Sequence, residues 1–137
     1  MKTYLAGAMS GLTKEQMCNW RKKAEHLLDT CDIKTINPTN FYNFELDPST
    51  YTDREVIDFD LAAISNSDII LVNLDFKDSI GTSIEAFYAY RILGKPVIGF
   101  GKNPLVHPWL KECLTKRCET LEKAVEYIIM YYASILQ

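Results

Sequence analysis

The run Ile69-Ile70-Leu71-Val72-Asn73-Leu74 constrains this chain more than any other stretch. It is short and continuously apolar, so it reads as a strand buried on both faces of a parallel sheet. Such a strand needs helices above and below it, and the flanking sequence supplies them. An amphipathic segment from about Asp53 to Asn66 precedes it, with Val56, Ile57, Leu61 and Ile64 on the face expected to be buried and Thr52 or Asp53 as its cap. After it, Ser79-Ile80-Gly81-Thr82-Ser83-Ile84-Glu85 turns at Gly81 and resumes helical periodicity, which Gly94 ends.

The same alternation extends in both directions. Lys2–Ala6 is β-prone and breaks at the Gly7 and Gly11 loop, and a helix from about Lys14 to Cys31 follows, with Met17, Trp20, Ala24, Leu27 and Leu28 on one face. A strand near Ile33–Ile36 stops at Asn37-Pro38, and Lys95–Phe100 supplies a fourth. The remainder holds a short helix beginning near His107-Pro108-Trp109, a minor strand around Arg117–Glu119 and a helix from about Leu121 to Ile135. Strands alternating with helices predict an α/β fold: a doubly wound, five-stranded parallel sheet of flavodoxin-like or Rossmann-like type. At 137 residues and 47% hydrophobic content, one domain over 1–137 with one core is expected.

Composition narrows the function. A net charge of -3 leaves no basic footprint for a nucleic-acid polymer. No apolar segment approaches the roughly 20 residues of a membrane span, and no signal-peptide pattern opens the chain, so a soluble cytoplasmic protein is expected. Cys18, Cys31, Cys113 and Cys118 lack zinc-site pairing and read as buried or half-buried free thiols, while His26 and His107 have no partner at ligand spacing. Neither a metal nor a cofactor is expected. The segment Thr39–Thr52, rich in aromatic residues with Phe41, Tyr42, Phe44, Pro48 and Tyr51, is long for a connection and reads either as a functional lid or as a flap packed on the core.

Open α/β sheets bind ligands at the carboxyl ends of their strands. Tyr4 lies at the end of the first strand, before a loop in which Gly7, Met9 and Ser10 can offer backbone amides to a ligand; turn glycines alone would look the same, and Gly-x-Gly-x-x-Gly is absent. Asp60 has apolar neighbours on its helix and must be paired, exposed or kept for a task, with Asp58 as its competitor. Ser79, Gly81 and Thr82 cluster at a helix amino terminus, which suits an anion or merely a cap. Glu85 is either the capping-box partner of Thr82 or a carboxylate leaving an apolar helix toward the strand tips.

Together, Tyr4-Leu5-Ala6-Gly7, Asp60-Leu61-Ala62-Ala63-Ile64, Ser67-Asp68-Ile69-Ile70-Leu71 and Gly81-Thr82-Ser83-Ile84-Glu85-Ala86-Phe87 resemble, in order and spacing, the nucleoside 2-deoxyribosyltransferase superfamily over about residues 1 to 110. The resemblance implies that Glu85 attacks the anomeric carbon of a 2′-deoxyribosyl group, expels the base and forms a glycosyl-enzyme. It implies that Tyr4 orients that carboxylate and that Asp60 contacts substrate and helps protonate the departing base. Where the base-exchanging transferases often carry an acidic pair before the glycine, this chain has Ser79-Ile80, and Ser79 is similar to the phosphate-contacting serine of 2′-deoxynucleoside 5′-monophosphate N-glycosidases. Deoxynucleosides or deoxynucleotides are the implied small-molecule partners. Val106-His107-Pro108-Trp109 resembles the portion lent to the neighbouring subunit, which implies a homodimer or higher homo-oligomer with a shared active site; an ordinary helix start with a surface histidine and a packed indole is the alternative. Two rival functions remain: a phosphoribohydrolase of ribonucleoside monophosphates, against which Lys77-Asp78-Ser79-Ile80 lacks the expected Pro-Gly-Gly, and a non-catalytic nucleotide-binding module.

Overall fold

Each α-helix among the described residues begins where a polar side chain can satisfy one of its first free amides. Thr13 opens α1 (Lys14–Asp29) and Thr52 opens α2 (Asp53–Ser65), each in a reciprocal capping box, with Gln16 and Glu55 respectively. Ser79 caps α3 (Ile80–Phe87), the His107 imidazole caps α4 (Pro108–Glu112) and Thr120 caps α5 (Leu121–Tyr127). Between them lie β1 (Lys2–Ala6), β2 (Lys34–Ile36), β3 (Ile69–Asn73), β4 (Val97–Phe100) and β5 (Lys116–Cys118). The computed structural model describes residues 1–42 and 50–136.

The strands form one parallel sheet in the order β2-β1-β3-β4-β5, the flavodoxin-like order expected from sequence. Strand alternation splits the core into two layers. Leu5, Ile69, Leu71, Ile98 and Phe100 pack with Ala24 and Leu28 of α1 and with Leu121, Ala124 and Val125 of α5. Tyr4, Ala6, Ile70, Val72 and Val97 face the other way, onto Ile64 of α2, Ala86 of α3 and Leu110 of α4. Tyr4 pairs in register with Ile70. That parity is what turns Tyr4 toward α2 and α3 rather than α1.

Several elements depart from the sequence reading. On α2 the inward stripe is Val56, Asp60, Leu61 and Ile64, and Ile57 is 48% exposed. The helix is rotated so that a carboxylate, not Ile57, lies over the sheet. Helix α1 ends at Asp29, and Cys31 is exposed rather than buried, because Asp32 takes a left-handed turn (φ 58°) into β2. All four cysteines are free. Strand β4 begins at Val97, since the Lys95 amide donates to the Ala89 carbonyl and Pro96 has no amide to give, while the Lys95 ammonium donates to the carbonyls of Ile64, Ser65 and Ser67 at and just after the end of α2. The expected lid is seen only at its ends, and Phe44 and Pro48 lie outside the described residues. No described helix is long and apolar enough to cross a membrane, and no cluster of three metal-ligating side chains occurs among the described residues.

Candidate active site

Tyr4, Asp60 and Glu85 arrive on the same side of the sheet from β1, α2 and α3. Glu85 follows Thr82 by three residues and precedes Ala89 by four, and both of those are buried, so its side chain lies beside the inward face of α3. It sits well inside the helix that Ser79 caps, so it is not the capping-box partner of Thr82. The residue is half-buried, but its Oε2 is fully buried and has no hydrogen-bond partner among the described residues. The Tyr4 hydroxyl is in the same condition. Neither makes a bond of ordinary geometry, yet they are near enough for the phenol to ease the carboxyl's ionisation. A buried polar atom left unpaired costs about 1–3 kcal/mol. Two such atoms side by side are what a site built for a third partner presents.

Electrostatics follow from burial. The Glu85 carboxyl is raised from 4.5 to about 7, chiefly by desolvation and in smaller part by Asp60, against the opposing effects of Tyr4 and Arg21. Asp60 is also raised, again first by desolvation, against a hydrogen bond from Tyr42 and the charge of Arg21. The Tyr42 hydroxyl donates to Asp60 Oδ1 at 2.6 Å. Asp58, the sequence competitor, is exposed and pairs with Arg54 on the outer face of α2. Desolvation, followed by the charges of Glu85 and Asp60, holds the Tyr4 phenol firmly neutral.

The remaining residues expected at the site fall into two groups. Gly7 is buried at the end of β1, where an added Cβ would lie 2.9 Å from Trp20 Cζ2; Met9 is half-buried and Ser10 is exposed in the turn beyond. Ser79 caps α3: its Oγ accepts from the Thr82 amide and donates to Thr82 Oγ1. Gly81 is exposed beside it. His107 and Trp109 line a different space, a largely apolar groove of about 720 Å³ between α3 and α4 that also takes in Ser79, Ile80, Ile84 and Phe87. Glu85, Asp60 and Tyr4 do not line it. His107 Nδ1 accepts from the Trp109 amide, and the indole is 81% exposed, so it is not the packed side chain of the simpler alternative.

Two residues at the site were not singled out from sequence. Arg21 is fully buried behind the end of β1. Its signal was a charge on the stripe Met17, Arg21, Ala24 and Leu28, all of which are buried. Tyr42 stood among the aromatic residues of the presumed lid, but nothing local tied it to Asp60.

The sequence profile of the family described as "Nucleoside 2-deoxyribosyltransferase like" matches residues 1–104. The fold matches that of a 2-deoxyribosyltransferase from the psychrotolerant bacterium Bacillus psychrosaccharolyticus, with a TM-score of 0.75, 26% identity, and coverage of 93% of this chain and 92% of that one. It also matches a 2-desoxiribosyltransferase from Leishmania mexicana (TM-score 0.69, 18% identity, 96% and 98% covered) and a CMP N-glycosidase of Clostridium botulinum (TM-score 0.64, 15% identity, 96% and 99% covered), which at those identities speak to fold alone. No curated protein matches the sequence as a significant relative. The chain belongs to the nucleoside 2-deoxyribosyltransferase-like family.

Proposed function

We propose that this member of the nucleoside 2-deoxyribosyltransferase-like family breaks the N-glycosidic bond of a 2′-deoxyribonucleoside, or of its 5′-monophosphate, through a glycosyl ester on Glu85. The observation that carries the reading is the unpaired, buried Oε2 of Glu85 beside the unpaired Tyr4 hydroxyl, with Asp60 alongside. In the first step a Glu85 carboxylate oxygen bonds to the anomeric carbon as the carbon–nitrogen bond breaks. The electron pair leaves with the base, which takes a proton from Asp60. In the second step water or another base attacks the same carbon, Asp60 accepts the incoming nucleophile's proton, and Glu85 departs as carboxylate. Water gives hydrolysis and a base gives transfer. Both inversions occur at one carbon, so the sugar's configuration is retained.

The site's electrostatics supply the single proton this division of labour requires. Two carboxylates facing one another and one guanidinium favour the state with one proton between them. The reaction needs that proton on Asp60, whereas burial by itself favours it on Glu85. Bound substrate must therefore assist the exchange, and the phenol of Tyr4 is placed to do so by donating to the freed carboxylate.

The reading extends to an assembly of two or more copies. Ile80 is 82% and Trp109 81% exposed beside the apolar groove between α3 and α4, and such a face suits a second copy of the chain. In that assembly His107 and Trp109 serve the partner's site, which accounts for their position away from Glu85 within one chain.

The test is release of free base from deoxynucleosides and deoxynucleoside monophosphates, with and without a second base, followed by chromatography. Release by the native protein and none from Glu85→Gln, together with a 2′-fluoro-2′-deoxy sugar trapped on Glu85, is the expected result. Turnover of ribonucleotides alone, or the label on another residue, would overturn it.

A further inference from the structure

Arg21 is an unusual residue to find where it is. It has no exposed surface, and none of its hydrogen bonds goes to a carboxylate. Its Nε donates to the Leu5 carbonyl at 3.3 Å, one terminal nitrogen to the Met17 carbonyl at 2.7 Å and the other to the Gly7 carbonyl at 3.0 Å. The guanidinium also stacks on the Trp20 ring, 4.6 Å from its centroid. Gly7 is what admits it: a side chain there would meet Trp20 at 2.9 Å and the guanidinium at 3.4 Å.

Burying a cation costs several kcal/mol, and a well-packed apolar residue often does better for stability. The groups around Arg21 show what the charge faces. They are Tyr4 on β1, Cys18 on its own helix, Asp60 on α2 and Glu85 on α3. Burial pulls the guanidinium down to about 10, still charged at neutral pH. Glu85 in turn is faced by Tyr4, Asp60 and Arg21, and Asp60 by Tyr42 and Arg21, so Arg21 is the one cation acting on either carboxylate among the described residues.

We propose that Arg21 is the positioning residue of this site: its guanidinium clamps the carbonyls of Leu5 and Gly7, and hence the loop after β1, while standing as a fixed counter-charge behind Glu85 and Asp60. The role rests on the reading of Glu85 as nucleophile. One positive charge balances one of the two carboxylates, so the pair keeps one negative charge and one proton, and bound substrate then brings that proton to Asp60 for the departing base. Arginine suits the place because its planar fork spans carbonyls set along the end of a strand. Lys95, whose ammonium gathers three carbonyls at one point, performs only the clamping half of such a task.

The experiment reads Glu85 directly, by carboxyl ¹³C titration of the substrate-free protein, with the resonance assigned by its loss in Glu85→Gln. Arg21→Met should move that titration upward by about one pH unit, the size expected for a unit charge removed from nearby in a partly screened site. The acid limb of kcat/KM should move with it. Arg21→Lys should leave the titration in place but lower kcat about tenfold, because an ammonium cannot hold the Leu5 and Gly7 carbonyls with the same fork. A Glu85 titration unmoved in folded Arg21→Met overturns the counter-charge. Should Arg21→Met not fold, Arg21→Lys decides: native kcat, or a Glu85 titration displaced as though the charge were gone, overturns the proposal. A native protein that releases no base would instead sink the nucleophile reading, while the titration would still report on Arg21.

Discussion

At the scale of single residues, the desolvation that raises the Glu85 carboxyl also burdens the fold. Its carboxyl is raised from 4.5 to about 7, so between those values the native state holds a proton that the unfolded chain has lost. The contribution to stability is therefore fully present below about pH 4.5 and lost as pH rises through 7, amounting to about 3 kcal/mol at most. Glu85→Gln removes the titration, so its melting temperature should exceed that of the native protein at pH 8 by more than at pH 4.5. Calorimetry at the two pH values checks this, and equal differences would contradict it. Tyr42 carries a second prediction. Its hydrogen bond holds the Asp60 pKa down against burial, so Tyr42→Phe should raise the Asp60 pKa and shift the alkaline limb of kcat/KM to higher pH. If the ring serves only to pack over the site, KM will rise and the limb will stay where it is. Neither role of Tyr42 could be seen in its local sequence, because Asp60 lies eighteen positions away.

Among the elements, α3 does two jobs from two faces, and its amino terminus belongs to both. Thr82 and Ala86, with Ala89 in the helical turn just after it, seat it on the sheet, while Ile80, Ile84 and Phe87 face the groove. Ser79→Ala removes the side-chain cap and should cost about 1 kcal/mol in chemical denaturation. If Ser79 also contacts a 5′-phosphate, the same variant will raise KM for deoxynucleoside monophosphates more than for deoxynucleosides; equal changes would assign it to the helix alone. The sequence reading found α3, because its apolar spacing and Gly94 are local signals, but Gly81, expected to be the turn before the helix, is its second residue, and Ser79 opens it instead. It placed α2 correctly in extent but misjudged its rotation. Counting apolar residues favoured Ile57 for the inward face, whereas packing turned Asp60 inward and left Phe59 to meet the Phe41 ring at 5.2 Å.

For the whole molecule, the apolar face between α3 and α4 leads to a prediction about assembly. Trp109→Glu places a charge in the centre of the proposed contact and should convert an oligomer to a monomer in light scattering, with loss of base release. Activity in a monomer would show that one chain holds a complete site. The sequence by itself determined the alternation of strands and helices and the parallel sheet, because hydrophobic period, glycine placement and capping residues act over a few positions, whereas only the family resemblance drew Tyr4, Asp60 and Glu85 together. Only the tertiary structure decided which oxygen of Glu85 is left unpaired, that Tyr42 holds Asp60, and that Arg21 stands behind them all. Those outcomes depend on strand parity, helix rotation and the removal of water, and each arises from contacts between residues far apart in the chain.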